Sequence, residues 1–245
     1  MKANLIELES LLRSRKLDGT LVSKRPLPVE RLASTGLTRL DDELGGGLTR
    51  GHLSEIVGPS SSGRASVLCA VLAAATRRGE VVALIDTFDS FDPVSGHAAG
   101  VDLSRLLWIR GRQSSARTTP PGARGVQAMN DAIKASGLVC QAGQFGIVAI
   151  DLAEAPVMAI KRLPFTTFRR LARAIEGRET VGVVVGPTTM GRSALGRSVV
   201  LRGSEYSSRW SGEGPRSRVF RGLEIDARVE STRAPGQRFR LQAVS

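Results

Sequence analysis

Short, nearly uninterrupted apolar runs dominate the middle of the chain, Val81 to Asp86, part of Arg105 to Ile109, Gly146 to Asp151 and Val181 to Val185, and a further strand is expected over His52 to Val57. A strand that faces water on one side alternates apolar and polar residues, whereas one that is apolar throughout is covered on both faces. Helical patterns lie among these runs, at Ala65 to Arg78, Val126 to Ala135 and Phe165 to Ile175. Strand and helix in alternation imply an α/β fold, a mainly parallel sheet covered by helices. After Gly186-Pro187 the apolar residues fall at every second position: Val199 and Leu201, then Leu223, Ile225, Ala227 and Val229, then Phe239 and Leu241. That period of two predicts antiparallel strands added at the C-terminal edge of the sheet. With 245 residues and 41% hydrophobic content, the chain can bury such a core as one main domain.

The ends are organised differently. Asn4 followed three positions later by Glu7 is a helix-start signal, and Leu5, Leu8, Leu11 and Leu12 recur at helical spacing, so a short amphipathic helix is expected over residues 5 to 16. The proline-punctuated stretch Ser23 to Pro28 then reads as a linker. "TGLTRLDDELGGG", Thr35 to Gly47, carries a brief helix with Leu37, Leu40 and Leu44 on one face, and Gly111 to Gly125 is a loop by composition. The division that follows is residues 1–30 as N-terminal helix and linker, 31–203 as core and 204–245 as a basic β segment.

The formal net charge is +12, and from Pro156 to Ser245 there are 17 Lys+Arg against 7 Asp+Glu. A basic C-terminal third suits a polyanion such as DNA, contacted electrostatically, or an acidic protein. No run approaches the roughly 18 apolar residues that a membrane helix needs, and the N-terminus lacks a signal-peptide core, so a cytoplasmic protein is expected without a membrane partner. Cys69 and Cys140 sit among apolar neighbours with no partner at metal-ligand spacing. Buried thiols are expected there, and no metal.

The segment "GPSSSGRAS", Gly58 to Ser66, stands between an expected strand and an expected helix. That is the place of the phosphate-cradling pattern G-x-x-x-x-G-K-[ST], in which backbone N–H groups and a lysine hold phosphates and a hydroxyl holds Mg²⁺. Arg64 and Ala65 occupy the last two positions of the pattern. The loop residues Gly58, Ser61, Ser62, Gly63, Arg64, Ala65 and Ser66 therefore form a vestigial phosphate loop.

"STGLTRLDDELGGGLTRGHLSEIVGPSSSGRAS", Ser34 to Ser66, resembles the opening of the RecA recombinase core. "ALIDTFDSFDP" from Ala83, "GVDLSRLLW" from Gly100 and "FGIVAID" from Phe145 continue the resemblance in order, over residues 34 to 203. The resemblance implies a RecA-like P-loop NTPase core. It also places the family's catalytic groups: the loop lysine falls on Arg64, the Mg²⁺-binding hydroxyl on Ala65, and the general-base glutamate on Phe88. The adenine-stacking ring falls on Ser95 and the γ-phosphate sensor glutamine on Pro187, while Asp92 and Asp151 are retained. Ser66 is one position late, which on a helix turns a side chain by roughly 100 degrees. The expectation is no enzyme activity and no cofactor.

The two segments matching the recombinase's DNA-binding loops are short here. Arg169, Arg170 and Arg173 on one helix, with Arg192 and Arg197, remain as candidate phosphate contacts. A RecA core without its catalytic set, preceded by a helix and followed by "GLEIDARVESTRAPGQRFRL", is similar to the ImuA group of RecA-related accessory proteins. That resemblance implies a non-catalytic scaffold in the bacterial SOS response, joining a Y-family-like polymerase subunit, and RecA itself, for translesion DNA synthesis. Leu5, Leu8 and Leu12 are then candidate partner contacts, and Trp108, Tyr206 and Trp210 candidate anchors. The competing expectation is a DNA-stimulated ATPase of recombination or repair.

Overall fold

The computed structural model describes residues 31–111, 121–164, 166–190, 196–202, 208–212, 217, 219–231 and 234–243. The helix expected over 5–16, with Leu5, Leu8 and Leu12, lies outside these residues, as do Arg192 and Tyr206 and the side chain of Trp210.

A two-stranded clasp opens the described chain, β1 (Leu32–Ala33) against β2 (Leu48–Thr49), with helix α1 (Thr38–Leu44) between them. Leu40 and Leu44 face inward, and Gly45, at φ 77°, ends the helix by accepting the left-handed conformation. Gly47 is required by close approach, since a Cβ there would overlap the Ala33 carbonyl.

The main sheet is built from β3 (Leu53–Val57), β4 (Val82–Asp86), β5 (Leu106–Arg110), β6 (Ile147–Asp151) and β7 (Val181–Gly186). It is extended by β8 (Ser198–Arg202), β9 (Ser208–Ser211), β10 (Val219–Ser231) and β11 (Ala234–Ala243). The order is β11-β10-β8-β3-β7-β6-β4-β5, with β9 paired to β10. Strands β3 to β7 pair in parallel, and β10 pairs antiparallel with β8, β9 and β11. The α/β architecture with antiparallel strands at the C-terminal edge is as the period pattern implies. One strand differs: β8 runs parallel to β3 while pairing antiparallel with β10, so it is the junction between the two halves of the sheet. Alternation marks a half-covered strand and carries no information about direction.

Helix α2 (Arg64–Arg77) follows the glycine loop, and α3 (Pro93–Ala98) follows β4. Helix α4 (Pro121–Ala142) precedes β6, and α5 (Val157–Lys161) and α6 (Thr166–Ile175) follow it. Alternate residues of each strand feed two separate cores. Leu84, Ala149, Val183 and Ile56 pack with α1 and α2, whereas Ile85, Ile150 and Val184 pack with α4, α5 and α6.

Helix α4 is longer than its pattern suggests and takes in the end of the expected loop. Pro121 stands at its first position, where a missing N–H costs nothing. Helix α3 was not anticipated. Asp92 caps it by accepting from Val94 and Ser95 N–H, and Pro93 occupies its first turn.

Glu55 is the one acid in β3 and is 1% exposed. Its carboxylate accepts from Met190 N–H at 2.9 Å and from the Ser198 hydroxyl at 2.5 Å, so one buried group holds both ends of the β7–β8 connection. Removing it leaves two donors of half-buried residues without that partner. Glu55→Ala is expected to lose about 2–4 kcal/mol in urea denaturation, and Glu55→Gln, which keeps an acceptor, less than half of that.

Candidate functional site

Parallel strands emerge together at one edge of the sheet, and there the loop from Gly58 to Gly63 turns β3 into α2. Ser61 (φ 61°) and Gly63 (φ 88°) are both left-handed. The loop is pressed against the C-terminal strands. A Cβ on Gly58 would stand 2.6 Å from the Leu201 carbonyl oxygen of β8, and one on Gly63 would overlap the Ile225 side chain of β10. Ser62 is 2% exposed, and its hydroxyl has no hydrogen-bond partner among the described residues. No side chain caps α2, so the first N–H groups of a 14-residue helix face this loop with their partial positive charge.

Arg64 does not lie open to solvent. Its side chain is 6% exposed; one guanidinium nitrogen donates to the Ala153 carbonyl at 3.1 Å, and the other stands 3.7 Å from Glu154. Glu154 is itself largely exposed, so the buried carbonyl bond is the stronger tie. Ala65 presents an exposed methyl group, and Ser66 is half-buried.

Two carboxylates stand side by side at the ends of neighbouring strands, Asp86 of β4 and Asp151 of β6. Asp86 is fully buried and accepts from Ser90 N–H at 2.9 Å, Phe91 N–H at 3.0 Å and the Trp108 indole N–H at 3.1 Å. Asp151 accepts from Ala153 N–H at 2.8 Å. Burial pushes the Asp151 carboxyl up to about 6; the Ala153 bond and Arg64 oppose this, and Asp86 and Glu154 add to it. Asp86 escaped the sequence reading, and Trp108, expected as an anchor, is instead its hydrogen-bond partner. The signal was present, because Asp86 ends its apolar run as Asp151 ends the next.

Around Asp86, Trp108 meets Phe91 edge-on with ring centres 5.4 Å apart, and the Arg110 guanidinium lies 4.7 Å over the indole. Arg110 also binds Asp89 through two bonds of 2.7 and 2.8 Å. Trp108 is thus half-buried packing tied to a carboxylate, with its indole N–H already used.

Phe88, at the general-base position of the resemblance, packs on the apolar cluster of α4, α5 and α6. Ser95 donates to Asp92, whose carboxyl is held low by that side-chain bond and by the Ser95 and Val94 N–H groups. Pro187 directly follows β7. Arg169, Arg170 and Arg173 are exposed on α6, on the other side of the sheet from α2, and Arg197 is half-buried with its carbonyl accepting from Glu55 N–H. The loop, Arg64 and Asp151 are brought together; the α6 arginines are not part of that group.

Among the described residues no group of three or more His, Cys, Asp or Glu could hold a metal ion, and no helix is long and apolar enough to cross a membrane. Burial pushes the buried Cys140 thiol and the half-buried Cys69 thiol each up to about 11.

Fold and loop together define the class, an α/β protein with a glycine-rich turn between the central strand β3 and helix α2. A family model described as the RecA N-terminal domain matches residues 19–117. Protein RecA of Symbiobacterium thermophilum is 47% identical over 74 residues, which is 30% of this chain and 21% of that protein. Protein RecA of Synechocystis sp. is 45% identical over 74 residues with the same coverage. The chain is RecA-related through this part, and the aligned stretch spans about a fifth of the length of these curated relatives.

The carboxyl of Asp151 yields a pH test. Its native value lies above its unfolded value, so the folded state binds the extra proton between about pH 4 and 6, and stability falls as pH rises through that window. Asp151→Asn keeps an acceptor for Ala153 N–H and removes the titration. Relative to the natural protein it should gain stability, on the order of 1–3 kcal/mol, between pH 4 and pH 7.5, read by denaturant unfolding at both pH values. An unchanged difference across the window would show that Asp151 is ionised at no cost.

Proposed function

We propose that this protein is a RecA-type core without ATP turnover, serving as a scaffold that joins error-prone polymerase subunits in the bacterial response to DNA damage. The observation that carries the reading is the commitment of Arg64. The cation at the loop's lysine position is buried against the Ala153 carbonyl and spends its hydrogen bonds on the protein. The residues present do not fit Mg²⁺-triphosphate hydrolysis. Ala65 has no side-chain oxygen for the metal, and the base position holds a half-buried aromatic ring packed against an apolar cluster. A lost general base costs about 10² to 10⁴ in rate, and a lost charge stabiliser about 10² to 10³. Together they leave turnover near background.

The RecA relationship supports a role connected with DNA damage or recombination. The finer reading, a translesion scaffold, rests on the likeness of the loop "GPSSSGR" and of Gly222 to Leu241 to the ImuA group. The partners it implies are a Y-family-like polymerase subunit and RecA, with Leu5, Leu8 and Leu12 as contacts.

ATP hydrolysis measured with and without single-stranded DNA tests the reading, beside the variant Arg64→Lys/Ala65→Thr/Phe88→Glu. The natural protein should stay at the level of a Gly63 deletion. Turnover well above that level would overturn it. Tagged protein recovered from DNA-damaged cells should carry the polymerase subunit, and Leu5→Ala/Leu8→Ala/Leu12→Ala should lose it.

A further inference from the structure

Strand β11 is an outer edge of the sheet: it pairs with β10 on one side, and no described strand pairs with the other. Pro235 has no N–H to offer, so the usable length of that edge runs from Gln237 to Ala243, roughly 20 Å. Its two faces differ. Phe239 and Leu241 are buried, opposite Ala227 and Ile225, in the same apolar cluster as Leu40 and Leu44 of α1. Arg238, Arg240 and Gln242 point the other way and are exposed.

Charge on that outer face is unbalanced at the edge. Arg240 stands 3.6 Å from Asp226 and 3.9 Å from Glu224, and Arg228 pairs with Glu230. Arg238 forms no hydrogen bond or ion pair with any described residue, and the residue directly across from it on β10 is Arg228, a second cation. Like charges directly opposite in a ladder repel. A strand added on the open side of β11 would set a residue of its own opposite Arg238, and a carboxylate there would offset that repulsion.

We infer that the free edge of β11, from Gln237 to Ala243, is a docking site for an extended acidic segment of a partner protein, added to the sheet as a further strand. Carboxylates at alternate positions of the guest would face Arg238 and Arg240, and apolar residues between them would extend the cluster of Phe239 and Leu241. The edge offers alternating N–H and C=O groups, which a polypeptide answers with the same groups at the same spacing; a nucleic-acid backbone has no matching row of N–H donors. A second copy of β11 would set Arg238 and Arg240 against the same two arginines, so charge works against self-pairing. Charged residues on an edge strand ordinarily keep other strands away. A guard of a single sign repels strands of that sign and admits those of the opposite one. This edge uses neither the glycine loop nor Arg64, so the inference goes beyond the scaffold reading, and its failure would leave the reading of the loop standing.

The test is fluorescence anisotropy of the full chain with a labelled peptide of about eight residues, alternating Glu and Val, at about 50 mM NaCl. Saturable binding is expected. A Lys–Val peptide of the same length, and the Glu–Val peptide N-methylated throughout, should each bind at least about tenfold more weakly. Arg238→Glu should weaken the Glu–Val peptide about tenfold and favour the Lys–Val one. Arg173→Glu, an equal change of net charge at an exposed position of α6, should leave both near the values of the natural protein. Melting temperatures control for folding. Absence of saturable binding, or the natural affinity in Arg238→Glu, would overturn the proposal. Equal affinity for the N-methylated peptide would reduce the contact to charge alone and overturn it too. So would sedimentation in which the Glu–Val peptide dissociates a dimer of the natural protein, which would assign the edge to a second copy.

Discussion

Burial of the central strands on both faces is the constraint on which everything else depends. β3, β4, β6 and β7 are buried along nearly their whole length, so each is covered from above and below, and the chain must cross over the sheet between them. Parallel crossovers deliver every strand end to the same edge. The glycine loop, Asp86 and Asp151 are neighbours for that reason alone, whatever chemistry they carry. The same constraint sets the two helical layers apart, with α2 above and α4 to α6 below.

At that edge the physics of Arg64 differs from that of a lysine held by phosphates. A cation in the first turn of a helix meets the positive end of the helix dipole, which is unfavourable without a nearby anion or acceptor. In a nucleotide site the phosphates supply it. Here the Ala153 carbonyl does, with Glu154 and the field of Asp151 around it. The arginine thereby ties the start of α2 to the turn after β6, a link internal to the protein. Ile225 and Leu201 close the loop from the side of β10 and β8, so the turn is held in shape by packing.

The sheet and its helices were legible because their signals are local. Val82 to Asp86 or Ile147 to Asp151 can hardly be anything but covered strands, and the leucines of α1 repeat at helical spacing. The direction of β8 was not legible, since Val199 and Leu201 alternate alike in either orientation and only the partner strand decides. Helix α4 began earlier than its pattern because Pro121, a breaker inside a helix, is welcome at its first turn. In the site, that Ala65 carries no hydroxyl and Phe88 no carboxyl could be read from residue identity. Where the Arg64 guanidinium goes could not be read, because Ala153 is 89 positions away. Nor was the partnership of Asp86 with Trp108, which exists only once β4 and β5 lie side by side.

The two layers also separate demands that would conflict at one place. A cationic row in the loop would add to the field of the α2 N-terminus and to the burial of Arg64, with only Asp151, Glu154 and Asp86 to offset it. On α6 the same charges stand in water, where desolvation is small and self-repulsion is screened over about 10 Å at ordinary ionic strength. The sheet between them is a low-dielectric slab with its own buried carboxylates, Glu55 and Asp86, already saturated by hydrogen bonds. The loop's shape rests on the close approach of Gly58 to the Leu201 carbonyl and of Gly63 to the Ile225 side chain, contacts that a Cβ at either position would break.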